Sequence, residues 1–292
     1  MYLNLKKLTI RQLLQRKPGI IDPFDAELLI AHVIDKPREF VITRPDFVIR
    51  RSENRKIKKL FKKRMCGVPL AYLTGHKEFF GLDFVVNKHV LVPRPETEIL
   101  VTTALEHLST EPLKNTMLID VGTGSGCIPI SIAKTIKQFN NLTISATDIS
   151  RQALTVAKHN AQKHNVDITF LHGNLLEPII KNSKFEIRNS KLIVTANLPY
   201  LTQEQFQNEP SIQHEPKSAL VAKKGGLELY EKLLKQILQI SKTYNLKPIT
   251  YFEIDPSQTH EISKLIKTYL PNSTIEIQKD LAGHDRVVII GL

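Results

Sequence analysis

In the segment Asn197-Leu198-Pro199-Tyr200 a side-chain amide, a carbonyl followed by a proline and an aromatic ring stand on consecutive residues. That set suits the alkylation of a planar nitrogen. An amide or aromatic amine nitrogen is a poor nucleophile because its lone pair is delocalised, so the NH2 must be held with its lone pair aimed at the electrophile. The Asn197 side-chain oxygen and the Leu198 carbonyl are acceptors for its two N–H bonds. Leu198 precedes a proline and is confined to extended geometry, which fixes its carbonyl. Tyr200 can stack on a planar amide or base. No general base is needed, since the nitrogen becomes far more acidic after attack and water can take the proton. Catalysis then rests on alignment and exclusion of water. Alone, the tetrapeptide also reads as a strand-end turn, and its neighbours in the chain argue against that.

The first of these is Asp120-Val121-Gly122-Thr123-Gly124-Ser125-Gly126, which closes an apolar run and precedes a helical one. Glycines there let the backbone turn tightly and a ligand approach closely. The spacing is GxGxG rather than the GxGxxG of dinucleotide binders, and Gly122, Thr123, Gly124, Ser125 and Gly126 include no Lys or Arg to meet a phosphate. S-adenosyl-L-methionine, which has no phosphate, fits better. Asp148 ends the second strand-like run, where a carboxylate can accept from both ribose hydroxyls. It could instead cap the helix beginning near Arg151, a role for which Ser150 competes. Asn174 and Leu175 follow the third run and could meet the adenine amino group and ring, or form an ordinary turn. Asn197, after the fourth run, faces the same cleft as the glycine loop. No metal is implied. Cys66 and Cys127 form no CxxC pair, and Cys127 reads as a small packing residue.

These residues need a scaffold that delivers them to one edge. From residue 117, strand-like runs (117–121, 142–147, 168–172, 192–196, 248–254) alternate with helical ones (128–137, 151–164, 227–241, 260–269), predicting a parallel sheet covered on both faces. Ligands bind at the carboxyl ends of such strands. The tail differs: 274–278 and 286–290 are separated by seven residues, enough only for an antiparallel hairpin at the sheet's edge. The fold class is therefore α/β, a Rossmann-like class I methyltransferase sheet with a C-terminal antiparallel hairpin, plus a small N-terminal helical domain. Residues 1–76 read as helices with breaks at Lys17-Pro18-Gly19, Asp35-Lys36-Pro37 and Arg44-Pro45, and no strand pattern interrupts them. The helix at 25–34 has an apolar face of Ala26, Leu29, Ile30 and Val33. Residues 77–95 read as a connector, with strands at 79–86 and 89–92 turning around Asn87-Lys88, then the stiff Pro93-Arg94-Pro95. Helix resumes at 96–107, and residues 96–292 form the methyltransferase domain.

Of 292 residues, 41% are hydrophobic and 24% charged, which favours a packed core over disorder. No run of about 18 apolar residues is present, so neither a membrane span nor a membrane partner is expected. The basic start, 1–17, has the charge of a transit peptide, but Leu3, Leu5, Leu8, Ile10, Leu13 and Leu14 suit an amphipathic helix better. Cysteine usage fits a reduced, cytoplasmic setting. The formal charge of +12 is spread along the chain, with its densest cluster from Arg50 to Arg64, either a solvated helix face or a docking surface.

Several longer segments resemble one family, the HemK/PrmC protein-(glutamine-N5) methyltransferases. They include Pro69-Leu70-Ala71-Tyr72-Leu73-Thr74-Gly75, Glu78-Phe79-Phe80-Gly81-Leu82-Asp83-Phe84 and Leu91-Val92-Pro93-Arg94-Pro95-Glu96-Thr97-Glu98, the last being the most specific. Later come Glu215-Pro216, Ala219-Leu220, Gly225-Gly226-Leu227 and Lys279-Asp280-Leu281-Ala282-Gly283-His284-Asp285-Arg286. The resemblance implies methyl transfer from S-adenosyl-L-methionine to N5 of the glutamine in the Gly-Gly-Gln motif of peptide chain release factors. It also implies that the N-terminal domain helps dock the release factor, that Gly122 to Gly126, Asp148 and Asn197 bind the cofactor, that Asn197 to Tyr200 hold the glutamine, and that Arg94, Glu96 and Glu98 shape a lid. A monomer is expected, with no stable nucleic-acid partner. Two positions depart from the pattern. The family usually has Pro where Leu198 stands and an acidic residue where Asn174 stands. Leucine at 198 is more typical of N6-adenine methyltransferases acting on RNA or DNA, which is the alternative reading.

Overall fold

Ala26, Leu29 and Ile30 recur at helical spacing, and in the computed structural model they are buried together. The structure describes residues 8–15, 21–110, 115–136, 142–181 and 190–292. Two compact units emerge: Met1–Gly75 with Pro210–His214, and His76–Glu209 with Glu215–Leu292. The first contains α1 (Ile10–Gln15), α2 (Pro23–Ile34), α3 (Arg38–Thr43), α4 (Arg51–Met65) and α5 (Leu70–Thr74). Asp22 caps α2 by accepting the Phe24 N–H, and Pro23 occupies its first turn, where a missing N–H costs nothing. The helix stops at Asp35, which is left-handed (φ 54°). On α4, Ile57 and Phe61 point into the core one turn apart, which leaves Arg55, Lys56, Lys58, Lys59, Lys62 and Lys63 exposed.

Two expectations for this unit need correction. A short antiparallel ladder, β1 (Leu8–Thr9) with β2 (Val48–Ile49), interrupts the helices. Two residues are too few for the period-2 alternation that marks a strand in sequence. Consequently Leu8 is in a strand and helix begins only at Ile10; residues 1–7 and the break Lys17-Pro18-Gly19 lie outside the described residues.

The second unit opens with β3 (His76–Phe79) and β4 (Leu82–Val85), an antiparallel hairpin. Its turn is Phe80-Gly81, both with positive φ (52° and 67°), the backbone that a two-residue hairpin turn demands. The expected hairpin around Asn87-Lys88 is therefore misplaced. Asn87 does make a turn, since its side chain accepts the His89 N–H at 2.9 Å, but residues 89–92 are not a strand. After a 3-10 turn at Pro95–Thr97 comes α6 (Glu98–Thr110). The sheet and its helices follow: β5 (Thr116–Val121), α7 (Cys127–Thr135), β6 (Leu142–Asp148), α8 (Arg151–Lys163), β7 (Thr169–His172), α9 (Glu177–Ile180), β8 (Lys191–Ala196), α10 (Gln203–Asn208), α11 (Glu228–Tyr244), β9 (Ile249–Glu253), α12 (Thr259–Tyr269), β10 (Thr274–Lys279) and β11 (Asp285–Gly291). Residue 137, the expected end of α7, lies outside the described residues.

The strand order is β10-β11-β9-β8-β5-β6-β7. Only β11 runs against its neighbours, and with β10 it forms the expected edge hairpin. Every residue of β5 is buried, as a strand covered on both faces must be. Ile119 and Val121 pack with Tyr230, Leu233 and Ile237 of α11 and with Phe252 of β9. Parallel register brings Val121, Thr147, Ala196 and Phe252 to one edge: Val121 pairs with Thr147 and Ala196, and Ala196 with Phe252. The next residue along each of these four strands emerges there.

Candidate active site

Those next residues are Gly122, Asp148, Asn197 and Glu253. Gly122 donates its N–H to the Thr147 carbonyl at 2.9 Å and turns the chain with φ 75°. A Cβ built on it would lie 3.0 Å from Leu198 Cδ2, so the glycine loop and the tetrapeptide are in contact across the strand ends. Asp148 stitches the loop to the next helix: Oδ2 accepts the Gly124 N–H at 2.9 Å and Oδ1 the Ser150 N–H at 2.8 Å. Ser150 supplies the N-cap of α8, accepting the Ala153 N–H, so Asp148 is not needed for that task. Each carboxylate oxygen of Asp148 keeps a further lone pair. Burial raises the Asp148 pKa, and the two backbone donors oppose the shift.

A cavity of about 510 Å³ lies over this edge. Of the residues singled out from sequence, Gly122, Gly124, Asp148, Asn174, Leu175, Asn197, Leu198 and Pro199 line it. Thr123 and Ser125 are buried, and they, Gly126 and Tyr200 do not line it. Asn174 donates to Glu177 Oε1 at 3.3 Å, and Leu175 is held left-handed (φ 53°), a strained backbone for a branched residue. Tyr200 is tied down through its carbonyl, which accepts from Gln258 Nε2 at 3.0 Å. The expected lid residues do not line the cavity. Arg94 pairs with the buried Glu215, which also accepts the Val92 N–H at 2.9 Å, while Glu98 accepts the Phe80 N–H at 2.8 Å.

The amide of Asn197 has a defined polarity. Its Nδ2 donates to the Thr97 hydroxyl at 3.1 Å, which leaves Oδ1 for the cavity. Leu198 has a backbone N–H that proline would lack, and it is satisfied by the Tyr230 hydroxyl at 3.3 Å. Tyr230 donates its one proton to the Glu253 carbonyl. Although that hydroxyl is also 3.4 Å from the Leu198 carbonyl, the carbonyl keeps its accepting capacity.

Sequence reasoning did not reach several contributors. Ile149 lines the cavity and is 66% exposed, an apolar platform beside Asp148. Lys88, His89 and Leu91 line it from the turn after β4, and Pro216, Ala219 and Val221 from a distant loop. Asp120 is fully buried; Oδ1 accepts from Thr195 at 2.8 Å, and Oδ2 has no hydrogen-bond partner among the described residues. Burial pushes the Asp120 pKa up to about 6, and the Asp148 charge adds to the rise. Two carboxylates, an apolar platform and a phosphate-free glycine loop fit a cationic nucleoside such as S-adenosylmethionine, whose positive charge relieves both acids.

A stability prediction follows from Asp120. A carboxyl raised from 3.8 to about 6 stabilises the fold below the lower value, and that contribution is lost as pH rises through the higher. Asp120→Asn stays neutral throughout. Urea unfolding of the ligand-free protein should therefore show a gain at pH 8, with a ceiling of about 3 kcal/mol, little change at pH 4, and weaker S-adenosylmethionine binding. Equal effects at both pH values would contradict a buried, ionised Asp120.

Residues 9–75 match the family described as PrmC N-terminal domain, and residues 97–207 the family described as Methyltransferase small domain. A release factor glutamine methyltransferase of Bacillus cereus is 32% identical over 269 residues, covering 90% of each chain. One of Clostridium botulinum is 37% identical over 268 residues, again 90% of each. The hMettl16 catalytic domain, solved in complex with a MAT2A 3'UTR hairpin, matches with a TM-score of 0.56 at 14% identity over 90% of each chain, a likeness of fold.

Proposed function

We propose, from the premise that the chain belongs to the release factor glutamine methyltransferase family, that Asn197 and Leu198 hold the glutamine side-chain amide of a release factor's Gly-Gly-Gln motif while its N5 is methylated. The protein is an S-adenosyl-L-methionine-dependent enzyme acting in translation termination. When bound, the cofactor supplies an electrophilic sulfonium methyl. Gly122 to Gly126, Asp120, Asp148, Ile149, Asn174 and Leu175 are the residues that would hold it.

The chain's own residues supply alignment. Asn197 Oδ1 and the Leu198 carbonyl accept the two N–H bonds of the substrate amide, which turns the nitrogen lone pair toward the donor side of the cavity. Pro199 keeps the Leu198 carbonyl from swinging. The walls around it, Leu91, Pro216, Ala219 and Val221, exclude water. One observation carries this reading: Asn197 and Leu198 line the same cavity as the glycine loop and Asp148, with the Asn197 Nδ2 already engaged by Thr97 and only the long 3.4 Å approach of the Tyr230 hydroxyl on the Leu198 carbonyl. Because Tyr230 satisfies the Leu198 N–H, leucine at this position requires no change of substrate.

In this reading the unit up to Gly75 docks the release factor, supported by its match to the PrmC N-terminal domain. A single chain is the working unit, without a stable nucleic-acid partner. Among the described residues no helix is long and apolar enough to cross a membrane.

The test is co-expression with a release factor followed by mass spectrometry of the Gly-Gly-Gln peptide. A gain of one CH2 on the glutamine is expected. No gain from a preparation that binds the cofactor, together with RNA- or DNA-dependent turnover that falls steeply with salt, would replace glutamine by adenine as the substrate.

A further inference from the structure

Glu253 is the one residue emerging at the common strand edge that does not line the cavity, and it is a carboxylate with 1% of its surface exposed. An ionised group so placed is costly unless partnered. Its Oε2 has no hydrogen-bond partner among the described residues. Parallel register puts Ala196 opposite Phe252, so Asn197 and Glu253 follow as neighbours one step on. Thr97, which takes the Asn197 amide proton, is 2% exposed. With its oxygen accepting from Asn197, the Thr97 hydroxyl has a proton to give, and its influence on the buried Glu253 carboxyl is a donor's, lowering the pKa.

We propose that Thr97 and Glu253 are positioning residues that set the polarity of the Asn197 amide, through a one-way chain running from Asn197 Nδ2–H to Thr97 Oγ1 and from Thr97 Oγ1–H to the Glu253 carboxylate. This rests on the role assigned above to Asn197 and explains how that role is enforced. An amide has two nearly isosteric orientations, and only one offers oxygen to a substrate NH2. An ionised carboxylate can only accept, so it forces the Thr97 proton inward and the Asn197 oxygen outward. Protonated, it can donate to Thr97, and the chain can then run in reverse with the Asn197 NH2 facing the substrate.

Burial pushes the Glu253 pKa up to about 7, opposed by Thr97, Arg286 and Asn197 and reinforced by Glu96. Tyr200 of the tetrapeptide, Tyr230 of α11 and Cys127 of α7 also feel its charge, and burial raises the pKa of all three. Among these groups Glu253 is thus the one placed to change charge near neutrality. The productive polarity should hold above pH 7 and fade below it.

The experiment uses the full chain labelled with 15N-asparagine. The Asn197 side-chain amide resonance is assigned by its loss in Asn197→Ala and followed from pH 5 to 9, without substrate. A titration with a midpoint near 7 is expected in wild type, and none in Glu253→Gln. Methyl transfer should fall about 100-fold in kcat for Thr97→Val, with cofactor affinity within about twofold, and recover in Thr97→Ser. A pH-insensitive Asn197 resonance in wild type overturns the proposal, as does Thr97→Val with wild-type kcat. The resonance is read independently of turnover, so these outcomes are separate from a failure of wild type to methylate the Gly-Gly-Gln peptide, which bears on the substrate reading.

Discussion

Asn197→Ala is expected to lower methyl transfer by at least about 1,000-fold while changing S-adenosylmethionine affinity by less than about tenfold. The asymmetry follows from what surrounds the side chain. Gly122, Gly124, Asp148, Ile149 and Leu175, which in this reading meet the cofactor, line the cavity as residues separate from Asn197. The substrate amide has two acceptors in this reading, and Asn197 supplies the one with a side chain. Losing it frees the nitrogen to rotate so that its lone pair leaves the transfer axis. Effective molarities for well-aligned reactants reach about 10^5 M or more, so misalignment of one reactant forfeits several kcal/mol of barrier reduction. Alanine also leaves Thr97 without the donor it now has at 3.1 Å, but that loss is confined to one hydroxyl. Single-turnover methylation of a release factor, paired with calorimetric titration of the cofactor, separates the two effects. Turnover within tenfold of wild type would remove Asn197 from the centre of the site.

What was legible in the sequence was local, and what was missed lay in contacts between distant segments. The glycine loop, Asp148 and Asn197 each sit directly after an apolar strand, so strand periodicity alone brings them to one edge. The reversed β11 was legible because a gap of seven residues cannot hold a crossover helix. The hairpin was misplaced because Asn87-Lys88 resembles a turn more than Phe80-Gly81 does, yet phenylalanine there takes φ 52° and Glu98, from the helix α6, accepts its N–H. The role of Thr97 is invisible in the sequence, since its partner is 100 residues away. Glu253 did leave a trace: a carboxylate closing the run Ile249-Thr250-Tyr251-Phe252 at a strand's carboxyl end, in a position equivalent to Asp148. Leu198 looked like a pointer to adenine because the satisfaction of its N–H depends on Tyr230, 32 residues on.

Gly226→Ala should be the most damaging small substitution outside the cavity. The turn before α11 places Lys224, Gly225 and Gly226 consecutively at positive φ, and Gly226 is at 87°. A Cβ there would lie 1.9 Å from the Tyr200 carbonyl oxygen, 2.7 Å from its carbon and 2.4 Å from Gln258 Nε2. Two of these are backbone atoms of the tetrapeptide, so the clash cannot be relieved by rotating a side chain. Gln258 Nε2 now donates both to the Tyr200 carbonyl and to the Gly225 carbonyl at 2.8 Å, and a methyl group at 226 wedges these apart. Left-handed strain adds about 1–2 kcal/mol, and overpacking with loss of a buried hydrogen bond brings the total to about 3 kcal/mol or more. Displacing Tyr200 by about 1 Å drags Pro199 and the Leu198 carbonyl with it, and a shift of that size costs about 100-fold in rate. Gly225→Ala is the matched control: it has positive φ (64°) but nothing within 4 Å of the added Cβ. It should cost only about 1 kcal/mol and leave methylation within a few-fold of wild type. Urea midpoints and methyl-transfer rates, taken at a temperature where both variants bind cofactor, measure the contrast. Matching losses in the two variants would mean that the Gly226–Tyr200 contact yields, and that the tetrapeptide is not held from behind.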